Sequence, residues 1–178
     1  MEIALKEVSG SFHPLQMTFT RFLAGGLFLI PFAVRTLKKK KASLIWKDLP
    51  GFLLLGFVGM VLSMSIYQMS VKEVPASVVA VLFSSNPIFT AVLAFFMLKE
   101  PIRRNQIAAL LLEIGGILAI INPFHTSLSP YGVLLAMIST LLFAVYGVMG
   151  KRRCARFGGV VVTCASFLCG GAEMLFMI

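Results

Sequence analysis

The sequence predicts an all-α polytopic membrane helix bundle of about six spans, organised as inverted five-helix repeats. Three observations carry that prediction: the apolar composition, the sidedness of the cations, and an internal repeat. Hydrophobic residues make up 58% of the 178 positions and charged residues 13%, far from the mix of a soluble domain. A soluble globule of this length has no interior large enough to hide so much apolar surface, because its skin must stay largely polar. Lipid removes that requirement.

Apolar runs long enough to cross a bilayer, roughly 17–25 residues, fall near 15–34, 49–69, 75–98, 106–122, 131–150 and 158–178. The opening Met1-Glu2-Ile3-Ala4-Leu5-Lys6-Glu7 has no basic segment followed by an apolar one, so it does not read as a secretory signal. The connections alternate in charge. Residues 35–48 hold six cations, residues 99–105 three and residues 151–157 four. The connections at 70–74 and 122–130 hold one between them. Thirteen of the sixteen Lys and Arg residues therefore share one side. Cytoplasmic loops carry such an excess, which predicts a plasma or inner membrane protein with loops 35–48, 99–105 and 151–157 in the cytoplasm. The net charge of +9 is accounted for by this sidedness, and a nucleic-acid partner is not expected.

Shifting the chain by 145 residues aligns its beginning with its end without a gap. Lys6 meets Lys151, Phe12 meets Phe157, Thr18 meets Thr163, Phe22-Leu23 meets Phe167-Leu168, and Gly25-Gly26 meets Gly170-Gly171. That is seven identities over 33 overlapping positions. One period contains five spans, an odd number, so the two copies cross the bilayer in opposite senses. Inverted repeats of this kind are typical of secondary transporters. By the repeat arithmetic, roughly 15 residues are missing in front and about 90 behind. The chain is thus expected to be a fragment, with a genuine short product as the alternative.

Residues 76–94, from Ala76-Ser77-Val78-Val79 through Ser84-Ser85-Asn86-Pro87-Ile88-Phe89-Thr90, lead into Leu98-Lys99-Glu100. Gln106-Ile107-Ala108-Ala109 and Gly115-Gly116-Ile117-Leu118 follow. This resembles the EamA domain of the drug/metabolite transporter superfamily. There a small-residue helix with a central proline is followed by a cytoplasmic L-x-E turn and a glycine-containing helix. Pro14-Leu15-Gln16-Met17-Thr18-Phe19-Thr20-Arg21-Phe22 is similar to the opening of the family's second helix. The resemblance implies a first repeat over 1–122 lacking most of its first helix, and the start of a second over 130–178. It also implies ten helices in full members, both termini cytoplasmic, and export or exchange of small organic metabolites such as amino acids without ATP. The partners expected are the lipid bilayer and a small-molecule solute, with a homo-oligomer if the short chain works as it stands.

Polar residues inside spans mark the candidate solute or proton pathway: Glu113, Arg21, Asn86, Pro87, Tyr67 and Gln68. Glu113 is near the middle of its span, where a charged acid costs about 2.5–3.5 kcal/mol, so it should face protein or water or be protonated. It carries a proton or a substrate amine, or it is a protonated acid bonded to a neighbouring helix. Arg21 lines the cavity or snorkels outward. Asn86-Pro87 interrupts the third span, as a solute-binding hinge or as a structural kink. Tyr67 and Gln68 form an outer gate or an interfacial anchor. The paired glycines read as helix-packing positions, and Glu173 is assigned no role.

No enzyme is predicted. His13 and His125 stand alone, with no metal-ligand spacing around them. Cys154, Cys164 and Cys169 suggest neither zinc nor a disulfide. No P-loop is present, and no cofactor is expected. The alternative function is a non-transporting truncated membrane protein, or a half-transporter active only with a partner chain.

Overall fold

The computed structural model describes residues 14–40, 46–99, 104–120 and 129–175. All regular elements among them are helices: α1 (Pro14–Lys40), a 3-10 turn (Trp46–Asp48), α2 (Leu49–Gly56), a π-helical turn (Phe57–Leu62), α3 (Ser63–Glu73), α4 (Ala76–Ser84), α5 (Asn86–Leu98), α6 (Arg104–Ile120), α7 (Pro130–Phe157) and α8 (Gly159–Leu175). Among the described residues, four helical runs are long and apolar enough to cross a membrane: Thr18–Lys40, Leu49–Glu73, Ala76–Leu98 and Pro130–Phe157. The described parts of the other two expected spans, Gln106–Gly116 and Gly159–Leu175, are shorter. The polytopic helical bundle expected from the sequence is the fold.

Two helices run further than the hydropathy pattern suggested. The first expected span, 15–34, continues as helix to Lys40, and 131–150 continues to Phe157. The cationic segments at 35–40 and 151–157 are therefore helical rather than looped. Lys and Arg are good helix formers, and Lys38, Lys39, Lys40 and Arg156 occupy last turns, where cations suit the helix dipole. Segments 41–45, 100–103 and 121–128, with His13 and His125, lie outside the described residues.

The chain divides into two compact units, one containing residues 66–148 and the other residues 12–65 and 149–178. In the first, Tyr67, Val71 and Val74 of the α3 end pack with Ala76 and Val79 of α4 and Ala136 of α7. Ser70 Oγ, fully buried, donates to the Gly132 carbonyl at 2.7 Å. That bond ties α3 to α7 and gives the hydroxyl an acceptor where water is scarce. Lys99 ends α5 in a left-handed conformation, φ 54°.

In the second unit α8 packs against α1 and against α2 with its π turn. Phe52 packs against Phe157 in a tilted arrangement, with ring centroids 5.8 Å apart. Gly158, φ 96°, closes α7 through its N–H to Cys154 O at 2.9 Å, the left-handed helix end that glycine adopts without strain. Asp48 accepts from Arg156 Nη1 at 3.1 Å, and Lys40 Nζ donates to Ala155 O.

Candidate functional site

In the first unit the span Ala76–Leu98 breaks at Ser85, which sits at φ −70°, ψ 1° between α4 and α5. Pro87 has no N–H to continue the ladder, so the break follows from the Asn86-Pro87 pair. The Leu82 carbonyl accepts from Ser85 N–H at 3.2 Å and from the Ser85 hydroxyl. Ser84 Oγ turns back to Val81 O. Thr140, fully buried on α7, donates to Ala136 O at 2.8 Å and lies 3.5 Å from the same Leu82 carbonyl. Thr90 Oγ1 lies 3.4 Å from Asn86 Oδ1 on the first turn of α5. Hydroxyls thus replace part of the backbone ladder that the break interrupts.

A row of rings runs beside this break. Tyr67 meets Phe83 edge-on at 5.0 Å, Phe83 meets Phe143 at 5.2 Å, and Phe143 meets Tyr146 at 5.4 Å between centroids. Tyr67 is buried, while Phe83, Phe143 and Tyr146 are partly exposed.

The sequence candidates fall as follows. Tyr67, Asn86 and Pro87 are brought to this break, with Phe83 linking the tyrosine to it. Gln68 is half-buried one residue beyond Tyr67. Glu113 is half-buried on α6, which touches α4. The remaining side chains described on that helix, Leu110 apart, are exposed. Arg21 belongs to the second unit, exposed on α1. Sequence reading missed Ser85, Thr140, Phe143 and Tyr146. Only the spacing of Thr140, Phe143 and Tyr146, one turn apart along α7, hinted at a shared face.

The second unit holds a different arrangement. Phe22 and Phe167 stack with centroids 5.1 Å apart. A Cβ at Gly26 would lie 2.9 Å from Leu168, and one at Gly171 would lie 3.9 Å from Leu23 N. Adding 145 to Gly26 gives Gly171, and subtracting it from Leu168 gives Leu23, so the two contacts exchange under the repeat. Further along, Thr36 meets Gly158 and Lys40 meets Ala155, so α1 and α8 run antiparallel. A contact in which i meets j while their equivalents meet in reverse is what a two-fold relation requires.

Residues 2–122 match the EamA-like transporter family. An uncharacterized transporter of Clostridium kluyveri is 33% identical over 95% of this chain and 56% of its own length. An uncharacterized transporter of Archaeoglobus fulgidus is 25% identical over 89% of this chain and 61% of its own. The uncharacterized inner membrane transporter YedA of Escherichia coli K12 is 27% identical over 90% and 55%. The chain therefore spans a little over half the length of these relatives. No solved structure matches it. With a match covering residues 2–122 on a helical bundle of apolar spans, the chain belongs to the EamA-like transporter family.

Proposed function

We propose that this chain forms part of a secondary transporter, not an enzyme, that exports or exchanges a small organic metabolite such as an amino acid or related solute. It lies in the plasma or inner membrane with the cationic segments 35–48, 99–105 and 151–157, helical over 35–40 and 151–157, on the cytoplasmic side. Residues 1–122 are a first repeat lacking most of its opening helix, and residues 130–178 begin a second. The observation that carries this reading is the break at Ser85 within the span Ala76–Leu98, bordered by Thr140 and the Tyr67–Phe83–Phe143–Tyr146 rings. Interrupted helices near mid-membrane are where secondary transporters place their solute sites, because only there is irregular backbone tolerated at depth. The antiparallel, exchanging contacts of α1 and α8 support the inverted arrangement.

In this reading Asn86 and the ring row hold the solute and Pro87 supplies the hinge. Glu113 carries a proton or meets a substrate amine, Tyr67 and Gln68 gate the outer side, and Arg21 attracts an anionic group. The test is counterflow of radiolabelled amino acids into liposomes containing the purified chain, with P87A and E113Q alongside. Flux that P87A abolishes, with pH dependence that E113Q abolishes, is expected. Unchanged pH dependence in E113Q removes the proton role. Folded protein without flux favours the alternative, a non-transporting chain or a half-transporter that needs a partner.

A further inference from the structure

Glu173 on α8 lies within an apolar helix, and its Oε2 is buried with no hydrogen-bond partner among the described residues. Ser166 Oγ, two turns earlier on the same face, is likewise buried and unpartnered, in a residue with no exposed surface. Cys169 lies between them. This face meets the α2–π segment at close range. A Cβ at Gly56 would stand 2.7 Å from Gly170 N and 3.1 Å from Ser166 O, and one at Gly170 would stand 2.7 Å from Met60 Cβ. The helix opposite is not regular there: Phe57–Leu62 is π-helical, and Ser63 N–H bonds to Val58 O. Such turns interrupt the regular ladder and recur at functional sites.

On the helix of Glu173 the titratable neighbour is Cys169, one turn before it. By the antiparallel register of α1, in which Leu23 lies level with Gly171, Arg21 stands at the level of Glu173, exposed and with interactions of its own. Residues 49–65 contain no titratable side chain; Ser63, fully buried, is the polar residue at that level. No hydrogen bond reaches the buried Glu173 Oε2 among the described residues.

Glu173 is half-buried, and at its buried Oε2 a carboxylate is desolvated without compensation, whereas the neutral acid is tolerated. A metal ion needs several oxygen ligands at once, and the described residues hold no cluster of three or more acidic, His or Cys side chains. A proton needs one oxygen. We propose that Glu173 is a proton-binding site: its carboxyl is held neutral on the buried face of α8 and gives up the proton when that face opens to water. The step is the reversible gain of one proton by the carboxylate, with no other bond made or broken. It goes beyond the transport reading and stands whether or not a solute moves.

The test is infrared spectroscopy of the full chain in lipid, reading the carbonyl stretch of protonated carboxyl groups at neutral pH. E113Q is expected to retain a band, and E113Q/E173Q is expected to lose it completely. The E113Q band should also fall as pH is raised. No band in E113Q, or an unchanged band in the double variant, overturns the proposal. If the double variant does not fold, E113Q/E173D replaces it; a shifted band then supports the assignment and an unshifted one overturns it. None of these outcomes depends on flux, so the transport reading fails or stands separately.

Discussion

Phe22 and Phe167 face each other with ring centroids 5.1 Å apart, and they are separated by 145 residues, the shift that aligns the two ends of the chain. Each ring therefore packs against its own repeat equivalent, at the point where α1 and α8 cross in opposite directions. Contact between equivalent positions is what a two-fold relation between the two copies requires. The glycines beside the ring pair let the two backbones approach.

Among the described glycines, the tightest approach to backbone lies between Gly56 and Gly170. A methyl group at Gly56 would meet backbone at 2.7 Å rather than a flexible side chain, so no rotamer change relieves it. G56A is expected to destabilise the protein by about 1–3 kcal/mol, read as a lower midpoint in thermal unfolding in detergent. G159A, where nothing lies within 4 Å of the added carbon, is the control and should leave the midpoint near wild type. Equal midpoints for the two variants would show that the Gly56 contact does not limit packing.

Ser70 and Gly132 provide a buried bond between α3 and α7 at 2.7 Å. S70A leaves the Gly132 carbonyl without that donor. The expected loss is about 0.5–1.5 kcal/mol, again as a drop in the unfolding midpoint, and S70T should retain most of the stability.

At Gly158 backbone conformation and space act together. Its φ of 96° disfavours any L side chain, and an added Cβ would stand 2.9 Å from Thr36 Cγ2. G158A is expected to lose about 1–2 kcal/mol from the conformational effect alone. G158N should lose less, because asparagine tolerates left-handed backbone better.

The Asp48–Arg156 pair is expected to matter little. The Arg156 side chain is 57% exposed, and pairs so open to solvent contribute about 0–1 kcal/mol. D48N should shift the midpoint by no more than that, and the shift should shrink as salt is raised. A large, salt-independent loss would mean the pair is shielded.

Sidedness can be read directly. Single cysteines at Lys39, Lys72 and Arg152, in a background with Cys154, Cys164 and Cys169 replaced, should divide under an impermeant maleimide. Lys72 is expected to label from outside, with Lys39 and Arg152 protected in intact cells. Labelling of all three from one side would overturn the assigned topology.

Hydropathy, charge placement and one proline determined much of this protein in advance. Burial in lipid demands long apolar helices, so the spans were legible in the runs of Leu, Val, Phe and Ile, and Pro87 announced the break beside it. The 145-residue repeat announced that Phe22 and Phe167 are equivalent. What the pattern did not contain is which faces touch. The π turn at Phe57–Leu62 has no local signal; it follows directly on Gly56, where α2 comes close to Gly170 of α8. Thr140 beside the Leu82 carbonyl, 58 residues away in sequence, and the buried Oε2 of Glu173 likewise emerged from packing. A side chain's solvation depends on neighbours from distant parts of the chain, and only the tertiary structure decides who they are.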